Sequence, residues 1–237
     1  METTEPQVQA RERSRRKLRI GKGFSLDPEE FIESCTAILA KRGMGKTGTS
    51  KVVEEECIRA HVPFVALDPI GTHWGLRSSF DGKADGLKVL VVGGSHADIP
   101  FDRHAGAMIA DAVVAANVPT VIDYSDESHS AAREFVGDFA AELYKKNDTG
   151  RLVIIEEASE LLPQRLRPDM TTVYDSVERV VTRGRNRGLG VLLIDANVTF
   201  TGNVIIEKLL WIGPGAQTIA FYGSFTNEGV AVSGAMP

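Results

Sequence analysis

The sequence has few of the residues that build covalent or metal-linked frameworks. Only two of its 237 residues are cysteines, Cys35 and Cys57, and neither lies in a CxxC or Cys/His spacing. A disulfide framework is therefore not expected, and such sparing use of cysteine is typical of a reducing cytosol. The chain also lacks any run of about 18 apolar residues, so we predict no membrane span and no membrane partner.

The composition is otherwise ordinary for a globular protein, with 43% hydrophobic and 25% charged residues and a formal charge of −5. The one uneven region is residues 1–22, which carry seven basic and three acidic side chains and almost no apolar periodicity. This region also lacks the apolar run of a signal peptide. We predict a basic, flexible N-terminal arm over 1–22 that contacts DNA phosphates or is simply a solvated tail, followed by one domain over 23–237.

Along the rest of the chain, short apolar runs alternate with longer amphipathic segments. Most short runs are continuous and aliphatic, which is typical of strands covered on both faces. The alternation predicts an α/β fold with a mainly parallel sheet and helices on both faces. The predicted strands are 35–39, 63–67, 88–92, 120–123, 152–155 and 191–194, and the predicted helices are 46–60, 103–116, 128–147 and 172–185. Two more strands, 209–212 and 217–222, are predicted to form a hairpin at the sheet edge.

Residues 40–47, Ala-Lys-Arg-Gly-Met-Gly-Lys-Thr, follow a predicted strand and open a predicted helix. Gly43 and Gly45 can adopt backbone angles denied to other residues, so successive amides can curl around a phosphate. In this context the segment predicts a P-loop for ATP, with Lys46 reaching the β- and γ-phosphates and Thr47 holding Mg²⁺. A chance Gly-Lys-Thr in a loop is the alternative. The residues predicted to bind the nucleotide are Arg42, Gly43, Met44, Gly45, Lys46, Thr47 and Gly48.

A second signal lies 110 residues after Lys46, where an apolar strand ends in Glu156 and Glu157. In P-loop ATPases the first acid at such a strand end supports Mg²⁺ through its water shell, and a following glutamate orients and deprotonates the attacking water. We therefore assign Glu156 to the metal together with Thr47, and Glu157 to catalysis as the general base. The spacing suits the additional-strand class of these ATPases. The alternative is a solvated acidic turn after a core strand.

Four arginines, Arg179, Arg183, Arg185 and Arg187, lie just ahead of the strand predicted over 191–194. The planar guanidinium suits phosphate, either on a nucleotide across a subunit boundary or on a nucleic-acid backbone. Arg183 and Arg185 are thus candidate catalytic residues beside Lys46 and Glu157. A basic helix C-terminus that complements the helix dipole is the structural alternative.

With these elements in order, the chain resembles the HerA/FtsK group of hexameric P-loop translocases, and in particular HerA-like ATP-binding proteins of bacteria and their phages. The resemblance covers about residues 22–225. Besides the two nucleotide motifs, it rests on the stretches 66–77 (Ala-Leu-Asp-Pro-Ile-Gly-Thr-His-Trp-Gly-Leu-Arg), 92–98, 157–164 and 183–188.

This resemblance implies a RecA-like core and a homo-hexameric ring with ATP and Mg²⁺ between subunits. It further implies ATP-driven motion along double-stranded DNA in the cytoplasm of a bacterial or phage-infected cell. A protein partner such as a nuclease or a packaging or effector subunit fits the same setting. In that ring Glu157 is the catalytic base, and Arg183 or Arg185 is the finger that reaches a neighbour's ATP.

Three positions depart from the family's pattern. Ala40 replaces the first glycine of the loop, which is tolerable if its φ is negative, and Glu156 replaces an aspartate. Residues 195–197, Asp-Ala-Asn, stand where the family places Thr-Gln-Arg, whose glutamine senses the γ-phosphate. The sequence thus leaves two functions open: an ATPase motor on DNA, or a nucleotide-binding scaffold or regulator with weak or no hydrolysis. A small-molecule kinase is a weaker third, because such enzymes usually lack the acidic pair.

Overall fold

The computed structural model describes residues 16–40, 43–79, 81–163 and 165–195 in full, and the backbone of five short strands between residues 199 and 227. The fully described strands are β1 (Leu18–Gly21), β2 (Phe24–Leu26), β3 (Cys35–Leu39), β4 (Phe64–Asp68), β5 (Leu90–Val92), β6 (Thr120–Asp123), β7 (Arg151–Ile155) and β8 (Leu189–Asp195). The later strands are β9 (Thr199–Thr201), β10 (Val204–Ile206), β11 (Leu209–Ile212), β12 (Ala220–Tyr222) and β13 (Phe225–Asn227). The α-helices are α1 (Pro28–Ile32), α2 (Lys46–Arg59), α3 (Gly106–Ala116), α4 (His129–Lys146) and α5 (Thr171–Arg183).

The central sheet has the strand order β11-β3-β8-β7-β4-β6-β5, and every neighbouring pair in it is parallel. Each sheet strand and each long helix predicted from the sequence is present within a few residues of its predicted bounds. The prediction of an α/β fold with a parallel sheet is therefore confirmed. In this order β8 is inserted between β3 and β7.

The two faces of the sheet carry separate hydrophobic layers, as expected when successive side chains of a strand point to opposite faces. In β4, Val65 and Leu67 pack against α3, α4 and α5, while Phe64 and Ala66 belong to the layer that contains residues of α1, α2 and the β1–β2 pair. All five residues of β4 are buried. Burial on both faces explains why the strands are continuous apolar runs.

Local signals set several helix ends. The Asp27 side chain accepts hydrogen bonds from the backbone N–H groups of Glu29 and Glu30 and so caps α1, and Pro28 occupies the first turn. Ser128 caps α4 by accepting from the N–H of Ala131. The helix α3 ends at Asn117, which adopts a left-handed conformation with φ of 51°.

The boundary predicted for the basic arm is wrong at its C-terminal end. The predicted arm includes residues 18–21, but these residues form β1, which pairs antiparallel with β2. Leu18 and Ile20 are buried, and α2 lies against the strand. The overlooked signal is a short alternation in which Leu18 and Ile20 are apolar and Arg19 is exposed. Residues 1–15 of the predicted arm lie outside the described residues.

The hairpin predicted at the sheet edge is also wrong. The strand β11 does lie at the edge, but it pairs parallel with β3, and β12 pairs parallel with β9 in a separate two-stranded ladder. The edge of β3 offers backbone groups to any strand that can reach it, so turn residues after β11 do not determine its partner.

Gly190 in β8 allows α1 to pack directly on the sheet. A Cβ atom at this position would lie 2.6 Å from the Cα of Ile32. We expect Gly190→Ala to lower the free energy of unfolding by about 3 kcal/mol, because the obstacle is backbone that must shift. Urea denaturation measures this loss. Gly21→Ala is the control, since nothing lies within 4 Å of a Cβ there; equal losses in both variants would contradict the steric argument.

None of the described helices is both long enough and apolar enough to span a membrane.

Candidate functional site

The glycine-rich loop has the backbone that its sequence predicts. Gly43 and Gly45 have φ angles of 79° and 87°, in the region that favours glycine, and α2 begins at Lys46 immediately after them. Ala40 is not among the residues with positive φ, so alanine is tolerated at the position where a glycine was expected. The loop thus joins the carboxyl end of β3 to the N-terminus of a 14-residue helix, where backbone N–H groups are available to an anion.

Lys46 and Thr47 lie in the first turn of α2. Lys46 is largely buried, and within the described part of the chain no carboxylate forms an ion pair with it. A buried ammonium without a carboxylate partner suits an anion brought by a ligand. Thr47 is partly exposed and Gly48 is exposed. Arg42, also predicted to bind the nucleotide, lies outside the described residues.

The acidic pair lies at the same edge of the sheet as the glycine loop. Leu39 of β3 is level with Asp195 of β8, and Leu193 of β8 is level with Ile155 of β7. The carboxyl ends of β3 and β7 are therefore two strand spacings apart, roughly 10 Å.

Glu156 and Glu157 differ in their surroundings. Glu156 is 1% exposed, whereas Glu157 is partly exposed and adopts a left-handed conformation with φ of 46° and ψ of 53°. Such backbone is strained for a residue other than glycine, and strain of this kind clusters at functional sites. The loop that follows is held by Asp195, whose carboxylate accepts a hydrogen bond of 2.6 Å from the N–H of Ser159.

The buried carboxylate of Glu156 is linked to α2 by a histidine. His73 Nε2 lies 3.1 Å from Glu156 Oε1, and His73 Nδ1 lies 2.5 Å from Oε1 of Glu54, a residue of α2. All three side chains are at most 1% exposed. The second oxygen of each glutamate, Oε2, is buried and has no hydrogen-bond partner among the described residues.

The charges of this trio are strongly coupled. Burial raises the pKa of Glu54, an effect that the nearby His73 only partly offsets. Burial by itself would lower the pKa of His73, but the charge of Glu54 and the hydrogen bonds to Glu156 and Glu54 raise it to about 10. The 2.5 Å distance between His73 Nδ1 and Glu54 Oε1 requires a hydrogen between the two atoms.

The turn after β4 fixes the position of His73. The carboxylate of Asp68 accepts four hydrogen bonds, from the backbone N–H groups of residues 70, 71, 72 and 73, at 2.7 to 2.9 Å. Gly71, with φ of 73°, lets the chain bend around this carboxylate. Just beyond, the ring of Trp74 stacks on His96 with centroids 3.5 Å apart, and Arg77 pairs with Asp98. The stretch 66–77, on which the family resemblance partly rests, thus holds His73 in place.

Glu54 and His73 were not predicted as site residues. For Glu54 a signal existed, because it lies between the buried residues Val53 and Cys57 of α2, where an unpaired charge would be costly. For His73 no spacing rule pointed to a contact with Glu156, which is 83 residues away in the chain. That contact depends on β4 and β7 being neighbours in the sheet.

Arg183 and Arg185 are not brought to this site. They lie at the end of α5 and in the 3₁₀ turn Gly184–Arg187, at the amino end of β8, and both are exposed. The length of β8 separates them from the carboxyl edge by about 20 Å. Arg185 pairs with Glu33 at 3.6 Å, and Arg187 lies over the ring of Tyr144. Within one chain, therefore, neither arginine can reach an anion bound at the glycine loop.

A cleft of about 420 Å³ opens at the same carboxyl edge, beside the acidic strand end. Its walls come from the segments after β4, β6 and β7 and from the start of α4, and they include Tyr124, Glu160 and Arg165. None of the described residues of the glycine loop lines it. The cleft therefore adjoins the candidate site without being part of it.

The donors at the edge fit Mg²⁺ bound with a nucleotide, since Glu156 Oε2 is an orphaned buried carboxylate oxygen and Thr47 offers a hydroxyl at the start of α2. Within the described residues there is no cluster of three or more His, Cys, Asp or Glu side chains that could hold a metal by itself. The ligand set would thus depend on the phosphates. A comparison with protein-family models finds no match to this chain, and a comparison with curated proteins finds none either.

Proposed function

We propose that this protein is a P-loop ATPase of the additional-strand class with a RecA-like core. The observation that supports this most directly is the glycine turn at residues 43–45. This turn leads from β3 into α2. The strand β7, which is followed by Glu156 and Glu157, is separated from β3 only by β8. This arrangement offers backbone amides and Lys46 to phosphates, and carboxylates to a metal and to a water molecule, at one edge of the sheet.

Each residue of the site has a proposed task. Lys46 contacts the β- and γ-phosphates, and the amides of residues 43–48 surround them. Thr47 and Glu156 would hold Mg²⁺, which when bound neutralises charge on the phosphates. Glu157 accepts a proton from the attacking water. Because Arg183 and Arg185 lie at the opposite edge, we assign them to the ATP of a neighbouring subunit in a homo-hexameric ring.

The proposed work of the ATPase is movement along double-stranded DNA, as in the HerA/FtsK group. Its support is the set of sequence stretches that resemble that group, together with exposed arginines at an edge that a neighbouring subunit can approach. Mass photometry with and without ATP and Mg²⁺ tests for the ring, and the ATPase rate with and without duplex DNA tests for the substrate. Unchanged mass and unchanged rate would contradict the motor.

A nucleotide-binding scaffold with weak hydrolysis is the second candidate. The observation that favours it is at the end of β8, where Asp195 is used to hold the N–H of Ser159 and is followed by Ala196 instead of a glutamine. A scaffold of this kind would bind ATP and assemble without appreciable phosphate release, with or without DNA.

Lys46→Ala tests nucleotide binding itself. We expect the variant to bind ATP about 10- to 100-fold more weakly than the wild type in isothermal titration calorimetry, because a charge-assisted contact to phosphate is lost. Lys51→Ala, five residues further along the same helix, is the matched control and should bind normally. Wild-type protein that does not bind ATP, or a Lys46 variant that binds it equally well, would refute the proposed function.

A further inference from the structure

We propose that His73 is a positioning residue for Glu156, and that Glu54 on α2 holds the ring of His73 in place through its other nitrogen. The proposal rests on the proposed function, because it assigns Glu156 to the metal that accompanies the nucleotide. It adds two residues to the site and a physical link between the glycine-loop helix and the acidic strand end.

The direction of the hydrogen bonds follows from the chemistry of the groups. An ionised carboxylate only accepts, so His73 Nε2 must carry a hydrogen in order to bond Glu156 Oε1. The proton between His73 Nδ1 and Glu54 can sit on either atom, and in both cases Nε2 remains the donor and the Glu54–His73 pair is neutral as a whole. Glu54 thus anchors the ring through Nδ1 while Nε2 donates to Glu156.

The bond to His73 occupies only one oxygen of Glu156. The other, Oε2, is buried and has no partner within the described part of the chain, which leaves it available to the water shell of a metal. Glutamate is one methylene longer than the aspartate usual at this position and has one more rotatable bond. By holding Oε1 in place, His73 removes that extra freedom, so the longer side chain can serve where a shorter one is expected.

The chain also gives His73 a fixed position from which to act. Its backbone N–H is one of the four that bond Asp68 at the end of β4, and its ring is fully buried between α2 and β7. A shift of α2 would therefore be transmitted through Glu54 and His73 to Glu156. This couples the two halves of the site through two hydrogen bonds.

The test measures how much Mg²⁺ strengthens ATP binding, as the ratio of the dissociation constants in EDTA and in Mg²⁺. We expect this ratio to be about 10-fold smaller in His73→Met than in the wild type, while the ATP affinity of the variant in EDTA stays at the wild-type value. His73→Gln should keep most of the gain, since its amide nitrogen can occupy the place of Nε2 and donate to Glu156. In the Glu156→Gln background, His73→Met should cause no further loss.

Two further measurements keep the result interpretable. Mn²⁺ can replace Mg²⁺, so that electron paramagnetic resonance counts the ions bound with ATP without any turnover. If His73→Met does not fold, Glu54→Met tests the link from its other end, because the ring then loses the hydrogen bond at Nδ1 that fixes its orientation, and part of the gain should be lost. An unchanged gain in these variants, or a loss additive with Glu156→Gln, would overturn the positioning role. Wild-type protein without ATP binding would instead overturn the proposed function.

Discussion

Replacing Glu157 with glutamine is expected to lower ATP turnover by about 10²- to 10⁴-fold while leaving ATP affinity unchanged. The amide has nearly the shape of the carboxylate but cannot accept the proton of the attacking water. Since Glu157 is partly exposed and not part of the buried trio, its loss should not disturb Lys46 or Glu156. Single-turnover phosphate release and equilibrium ATP binding measure the two effects separately.

Glu160→Gln is the matched control for this result. Glu160 is an exposed carboxylate three residues further along, at the end of the same 3₁₀ turn, and its substitution should leave turnover within about twofold of wild type. Equal losses in both variants would indicate a general effect of charge at this edge. A Glu157→Gln variant that turns over ATP normally would remove Glu157 from the role of general base, and wild-type protein that binds ATP without releasing phosphate would favour the scaffold.

Arg151→Met is expected to lower the free energy of unfolding by about 3 kcal/mol. Arg151 begins β7 and is fully buried, and burial lowers its pKa to about 10. Its Nε donates to Asn147 Oδ1 at the end of α4, and Nη2 donates to Asn117 Oδ1 and the Val113 carbonyl at the end of α3. Methionine fills similar space but cannot donate a hydrogen bond to any of these three acceptors. Urea denaturation gives the size of the loss.

Arg59→Met is the control that shows how much of the loss is due to the burial of Arg151. Arg59 has two ion pairs at 2.8 and 2.9 Å, yet its side chain is 42% exposed, so its loss should cost less than about 1 kcal/mol. Equal destabilisation of the two variants would contradict the claim that the hydrogen bonds from Arg151 to the ends of α3 and α4 stabilise this side of the sheet.

Much of the fold follows from local pattern. Continuous apolar runs such as β4 and β7 must be covered on both faces, and this requirement together with the intervening amphipathic segments predicts a parallel sheet. The glycine loop is equally local, because positive φ at Gly43 and Gly45 and the start of a helix at Lys46 depend on neighbours in the chain. By contrast, β1 is too short for its two-residue alternation to be distinguished from a charged arm.

Long-range pairing could not be predicted in the same way. Nothing in residues 209–222 states that β11 joins the edge of β3 or that β12 pairs with β9, because strand partners are chosen by what lies within reach in the folded chain. The place of Arg183 and Arg185 is of the same kind. Their sequence indicates affinity for phosphate, but only the course of β8 puts them at the edge away from the glycine loop.

The sequence by itself determined the glycine turn before α2 and the two carboxylates after β7, since both depend on residue types within one strand–loop segment. Only the tertiary structure decided that Glu156 is buried against His73 and that His73 is tied to Glu54 on α2. The physical reason is that the order of the strands in the sheet determines which strand ends lie next to each other. With β4 beside β7 and α2 packed over them, three residues far apart in the chain share one buried space in which each needs the others' hydrogen bonds.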